Sequence, residues 1–306
     1  MTVMMNVGDA AHSNGRAIAF MIAGQASFTF NDVFIKLATA DLPGGQTIFL
    51  RGIMAFLVAL AACKAVGALS FASLRGHGRL LTYRNIGEIG ATFFFMAALF
   101  HMPIATATAI LQFMPLALTA GGAIFLREQV GWRRWLATAI GFLGVLIIIR
   151  PGGDAFNVWS LLAVASVAFT VLRDLSTRRI GRHVPAMLLV MISAGTVAVA
   201  ASGFALFETW VIPSPSSLLL LFGSASFLLV GYYLMVDAMR YGEVAVVSPF
   251  RYSAILWAIL AGILLWGEWL DAVALFGTGL VVGAGIYTFM RERKVRALSA
   301  RKGSRI

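Results

Sequence analysis

A chain of 306 residues in which 60% are hydrophobic and only 12% charged cannot clothe itself in a water-facing surface, since soluble domains carry about 25% charged residues. Apolar runs of about 20 residues recur from end to end, each matching the ~30 Å hydrocarbon layer of a bilayer, which excludes a single large soluble core. The formal net charge of +11 would raise nucleic acid in a soluble protein, and the lone cysteine, Cys63, excludes an internal disulfide or a thiolate metal site.

Residues 1–15 are polar, and the apolar run after them carries Asp32 and Lys36 with no small-residue cleavage site, so the first span is expected to stay in place. Runs of low charge bounded by proline, glycine or basic clusters predict spans at 17–37, 46–67, 85–102, 104–126 and 132–149. The second half repeats the rhythm at 159–177, 185–206, 216–239, 243–265 and 271–290. The expected fold class is an all-α integral membrane protein, ten transmembrane helices as two inverted five-helix repeats, 1–150 and 151–290, followed by a basic tail, 291–306.

Placing both termini in the cytoplasm puts 18 Lys or Arg on inner segments, among them Arg16, the Arg75, Arg79, Arg84 loop, Arg127, Arg133, Arg134, Arg178, Arg179, Arg182, Arg240 and seven in the tail. Outer loops then hold one, Arg150, with Asp41, Asp154, Glu208, Glu268 and Asp271. That bias suits an even span number with a cytoplasmic start. Six tryptophans, Trp132, Trp135, Trp159, Trp210, Trp266 and Trp269, fall at predicted span ends, the headgroup level; Trp257 alone lies inside. As the cytoplasmic flank of a last helix the basic tail needs no nucleic acid.

The segment FFFMAALFHMPIATATAILQFMPLALTAGGAIFLRE aligns with YYLMVDAMRYGEVAVVSPFRYSAILWAILAGILLWGE, setting Phe93 opposite Tyr232, Gly122 opposite Gly262 and Glu128 opposite Glu268 with one residue inserted. Five spans per half is an odd number, so the second half enters from the opposite face. Inverted halves can expose a mid-membrane site alternately, which implies a transport path.

The first helix ending DVFIKLATADLPGGQTIFLRG, the helix-end acids in FLREQVGWRR and LLWGEWLD, and the 5+5 layout resemble the drug/metabolite transporter superfamily, EamA type, over nearly the whole chain. The resemblance implies a bacterial inner-membrane carrier for metabolites such as amino acids, amines, S-adenosylmethionine or riboflavin, with a cavity lined by both halves, and it leaves direction open, an exporter of amino acids or other metabolites being the alternative to uptake. The stretch from Asp32 to Arg51 is most similar to uptake carriers for vitamins or cofactors such as riboflavin or S-adenosylmethionine. The implied partners are a small organic solute and the lipid bilayer, with a homodimer as the assembly to test; no nucleic acid and no cofactor are expected.

A charge at mid-helix costs roughly 2.5–3.5 kcal/mol on insertion scales, so each is expected to face protein or water. Arg251 is eight residues past Glu243, ~12 Å into the membrane at ~1.5 Å per residue. Its repeat counterpart Gln112 is eight past Ile104 from the opposite face, so the two converge on one depth. Pro249 and Pro115 each remove a backbone donor nearby, which predicts local breaks in both helices. Tyr252, Trp257 and Phe113 are the aromatics expected to stack on the solute there, and Gln25 and Asn31 the added polar lining; lipid-facing packing is the alternative for each aromatic.

Asp32, four residues before Lys36, can pair with it, and Arg51 lies as deep in the next span; Asp32 and Arg51 read as a structural clamp or as gating residues. Glu88 and Asp32 are the coupling candidates, while Lys64 and Arg173 are expected to snorkel to the headgroups. Gly121, Gly122, Gly277 and Gly279 read as packing positions. A membrane enzyme is disfavoured because His12, His77, His101 and His183 are scattered with no metal-binding spacing. A phosphate-binding loop for an ATP-driven pump is absent from the sequence. A channel remains the other alternative.

Overall fold

The computed structural model describes residues 7–128, 130–151, 157–180, 184–241 and 244–303, with side chains outside the description at 7–13, 240, 244, 245 and 292–303. Asp154, Arg182, His183 and Glu243, and the side chains of His12, Arg240 and most of the basic tail, therefore lie outside the described residues. The described backbone is helical: α1 (Val7–Ala38), α2 (Gly44–Ala65), a 3-10 turn (Phe71–Leu74), α3 (Gly78–His101), α4 (Ile104–Leu111), α5 (Met114–Leu126) and α6 (Trp132–Ile149). The second half holds α7 (Trp159–Ile180), α8 (Ala186–Ala205), α9 (Pro215–Tyr241), α10 (Val244–Val247), a 3-10 segment (Ser248–Tyr252), α11 (Ser253–Trp266) and α12 (Ala272–Gly303).

Nine spans among the described residues are long and apolar enough to cross a bilayer, with α4–α5 counted as one and the 3-10 segment with α11 as another. The tenth is α3, whose 24 residues rise ~36 Å at ~1.5 Å each. It starts seven residues before the predicted span, and its apolarity is diluted by Arg84 and Glu88, both turned to protein partners. Helix also runs past the predicted ends at the start of α1 and along α12, where the basic tail continues as helix to Gly303.

The expected breaks in the fourth and ninth spans are tightenings. Gln112 and Phe113 keep right-handed φ and ψ and close 3-10-type bonds to Ala109 and Ile110 ahead of Pro115. The ninth span tightens over Ser248–Tyr252, which contains Pro249. A missing proline donor is accommodated by a shorter turn rather than by an open loop.

Helix pairing carries the symmetry. The main packing partners are α1 with α9, α3 with α7, α2 with α8 and α6 with α12, followed by α2 with α9; α1 with α11 and α7 with α5 are among the smaller ones. Exchanging the halves turns α1–α9 into α7–α3 and α1–α11 into α7–α5, and leaves α2–α8 and α6–α12 as they are. This is the pattern of a two-fold axis, and with five spans per half it lies in the membrane plane. Glycine permits the closest crossings: a Cβ on Gly87 would stand 2.7 Å from the Arg173 backbone nitrogen, and a Cβ on Gly144 or on Gly277 would stand 2.7 Å from the other's carbonyl oxygen. Gly121 and Gly122 also sit against neighbours, Val171 and Glu128, whereas Gly279 has nothing within 4 Å and is no packing position.

Acidic residues of the predicted outer loops cap helices. Both Glu208 oxygens accept backbone N–H bonds at 2.9 Å from Gly45 and Gln46 at the start of α2, and Asp271 accepts from Val273 and Ala274 and pairs with Arg150. A carboxylate there satisfies orphan donors and meets the positive end of the helix dipole.

Candidate functional site

A central cavity of about 470 Å³ lies between the halves. Seven of the ten residues singled out from the sequence line it: Gln25, Asn31, Asp32, Arg51, Glu88, Gln112 and Arg251. Three do not. Tyr252 is 4% exposed and packs beside Phe289 with its hydroxyl against Gly285. Phe113 packs with Leu116, Ala137 and Phe142. Trp257 lines a separate apolar groove with the exposed side chains of Phe30 and Leu260. The aromatic rings at the cavity are instead Phe28, Phe95 and Tyr232.

Two polar networks brace the wall. In the first, Arg51 donates to Asn31 Oδ1 at 2.9 Å and to Ser224 Oγ at 3.2 Å, Ser224 donates to the same Asn31 oxygen at 2.8 Å, and the Asn31 amide donates to Asp32 at 2.8 Å. Arg51 and Asn31 are 7% and 3% exposed, so this joint between α1, α2 and α9 is removed from solvent. In the second, Arg173 donates to Asp174 at 2.7 Å and approaches Glu88 at 3.5 Å, while Arg84 stands 3.9 Å from Glu88 and donates to Thr177, Ser193 and the Leu189 carbonyl. Arg173 thus stays in the cavity rather than snorkelling, because Glu88 and Asp174 offer it carboxylates there.

Two groups stand outside both networks. The Arg251 guanidinium and the Gln112 side-chain amide line the cavity, and neither makes a hydrogen bond or ion pair with any described residue. Gln112 is 8% exposed. Sequence depth located both, whereas Arg173, Asp174, Ser166 and Thr170 of α7 were missed as lining; the adjacent charges of Arg173 and Asp174 seven residues or fewer from the end of a span were the available signal.

The ends of the molecule differ in closure. Lys36 does not pair with Asp32; its ammonium donates to Glu268 at 3.1 Å and to the Met102 carbonyl at 2.9 Å, and lies 4.8 Å from the centre of the Trp266 ring. The second Glu268 oxygen accepts the Ile104 N–H at 3.1 Å, tying α1, α3, α4 and α11 at one point. At the opposite end the repeat counterpart Glu128 pairs with Arg178 at 3.3 Å. Both acids follow a left-handed residue, Gly267 or Arg127, and donate their backbone N–H to Gly262 or Gly122. Side-chain exposure is 11% and 21% for Lys36 and Glu268 but 52% and 48% for Arg178 and Glu128. Of two equivalent latches, one is shut and the other stands in solvent. Among the described residues no cluster of metal-ligating side chains is present.

The model of the EamA-like transporter family matches this chain twice, at residues 15–150 and 157–290. The chain is 28% identical over 232 residues to the riboflavin transporter of Vibrio cholerae, covering 74% of this chain and 76% of that one. It is 25% identical to the S-adenosylmethionine uptake transporter of Rickettsia bellii, over 94% of this chain and 98% of that one. A chain of known crystal structure superposes with a TM-score of 0.62 at 22% identity, over 89% of this chain and 98% of the other, a likeness of fold alone.

Proposed function

The chain belongs to the EamA-like transporter family, and from that premise we propose that it is a secondary carrier moving a small organic metabolite across the bacterial inner membrane by alternating access around the central cavity. The observation that carries the proposal is a central cavity lined from both inverted halves, with the Arg251 and Gln112 side chains at its wall unengaged by any described residue. Rocking of one half against the other would open the Lys36–Glu268 end as the Arg178–Glu128 end closes, the motion an in-plane two-fold axis allows.

The finer reading is uptake of a vitamin or cofactor, supported by the names of the two relatives above, so riboflavin and S-adenosylmethionine are the solutes to try. Both termini lie in the cytoplasm on this reading, with the basic flanks inside. Glu88 and Asp32, each in the cavity beside an arginine, are the groups proposed to couple flux to protons, and Asp32 with Arg51 the groups proposed to gate the outer side.

The test is flux of radiolabelled riboflavin and S-adenosylmethionine into proteoliposomes holding the wild type, Arg251→Ala or Gln112→Ala, each checked for insertion. Saturable flux in the wild type that falls at least about tenfold in the variants is expected, the loss of one charge-assisted contact. Undiminished saturable flux in both variants would remove them from the site.

A further inference from the structure

The charged groups of the cavity are not all engaged. Three guanidinium groups, Arg51, Arg173 and Arg251, line it with three carboxylates, Asp32, Glu88 and Asp174, and Arg84 approaches Glu88 at 3.9 Å from the adjoining pocket. Arg51, Arg84 and Arg173 are each held by hydrogen bonds to protein acceptors. Arg251 has no hydrogen-bonded or ion-paired partner among the described residues. A guanidinium at this depth is costly unless something neutralises it. The same cavity is lined by a second donor without a partner among the described residues, the side-chain amide of Gln112, a residue 8% exposed.

We infer that the solute carries a carboxylate, and that Arg251 receives it while the Gln112 amide donates to one of its oxygens. This rests on the carrier reading of the same cavity, and of the two solutes named there it selects S-adenosylmethionine, which carries a carboxylate, over riboflavin, which carries none. Guanidinium is a planar fork of donors that matches a carboxylate edge on, two parallel bonds at once. A phosphomonoester is a poorer match, because it brings a charge of about −1.5 to −2 at neutral pH to a wall where, among the described residues, Arg251 alone of the arginines is unpaired. The rest of the solute lies against Phe28, Phe95 and Tyr232, rings that suit an apolar or flat body. A buried amide that loses its acceptor is left unsatisfied, so the site discriminates against an analogue lacking the carboxylate more strongly than an apolar pocket discriminates by size.

The probe is a total small-molecule extract of bacterial cells, incubated with the detergent-solubilised full-length protein, with retained solutes identified by mass spectrometry against heat-unfolded protein. The expected result is retention of carboxylate-bearing solutes by the wild type, roughly tenfold or greater loss in Arg251→Gln, and partial recovery in Arg251→Lys, which restores the charge without the fork. A second arm needs no variant: treating the extract to convert carboxylates to methyl esters abolishes retention by the wild type. Retained solutes that have no carboxylate, or that survive esterification, overturn the inference and leave the carrier reading intact. Retention of no solute by the wild type overturns the carrier reading and this inference with it.

Discussion

Lys36→Met tests whether the shut end is a latch. The substitution keeps much of the side-chain volume but removes the bonds to Glu268 and to the Met102 carbonyl, at 3.1 and 2.9 Å, and the cation above Trp266. An exposed ion pair is worth about 0.2–1 kcal/mol, whereas losing one partner of a buried pair costs about 3–5 kcal/mol. With side chains 11% and 21% exposed, the pair falls between, and about 2 kcal/mol is a fair figure for what the shut state loses. At about 1.4 kcal/mol per decade, this raises the population open at that end about thirtyfold. The assay is the labelling rate of Met96→Cys, a cavity-lining position near that end of α3, by a membrane-impermeant maleimide added outside intact cells, in a Cys63→Ala background. The rate should rise about thirtyfold with Lys36→Met and should not rise with Arg178→Met. An unchanged rate, or equal rises in both, would refute the latch.

Three further outcomes are expected. Arg51→Met leaves Asp32 buried beside an orphaned Asn31 and Ser224, and should lower the thermal midpoint in detergent by on the order of 10 °C, measured by static light scattering or intrinsic fluorescence; no change would show the network to be dispensable. Gly277→Val forces a side chain to within 2.7 Å of the Gly144 carbonyl and should abolish monodisperse protein on size exclusion, while Gly279→Val, with open space around it, should leave the profile unchanged. Asp271 lies just outside its span, and its backbone bond from Ala274, aided by Arg150, holds its carboxyl below the usual carboxylate range against a smaller opposing effect of burial. A depressed folded value means stability that is present above the unfolded value near ~3.9 and lost as pH falls through the folded one. The difference in thermal midpoint between wild type and Asp271→Asn should therefore shrink below about pH 4, and a constant difference across pH would contradict it.

The span pattern was legible because hydropathy and basic flanks report insertion directly, and Arg251 and Gln112 were legible because depth follows from counting residues along a helix. Rotation about the helix axis was not. In a soluble helix the polar stripe shows which side faces out, but here lipid and the protein interior both favour apolar residues, so Tyr252, Trp257 and Phe113 could be placed in depth but not in azimuth. Partners far along the chain were equally hidden. Lys36 finds Glu268, 232 residues away, although Asp32 sits one turn back on its own helix. Glu128 and Glu268 drew notice as repeat positions, and only the packed structure gave one a buried partner and the other an exposed one.

The pairing of helices across the halves bears on how such a chain is made. Each major neighbour of a first-half helix belongs to the second half, and α1 rests chiefly on α9. At a ribosomal pace of about 5–20 residues per second, the roughly 200 residues between them take on the order of 10–40 s to emerge. Throughout that interval Asn31, Asp32 and Arg51 are in the bilayer without Ser224, the α9 hydroxyl that joins them. The newborn first half is thus a loose raft of spans with polar groups awaiting their acceptors, and whatever holds it by the insertion machinery until α9 arrives determines how much of the protein survives its own synthesis.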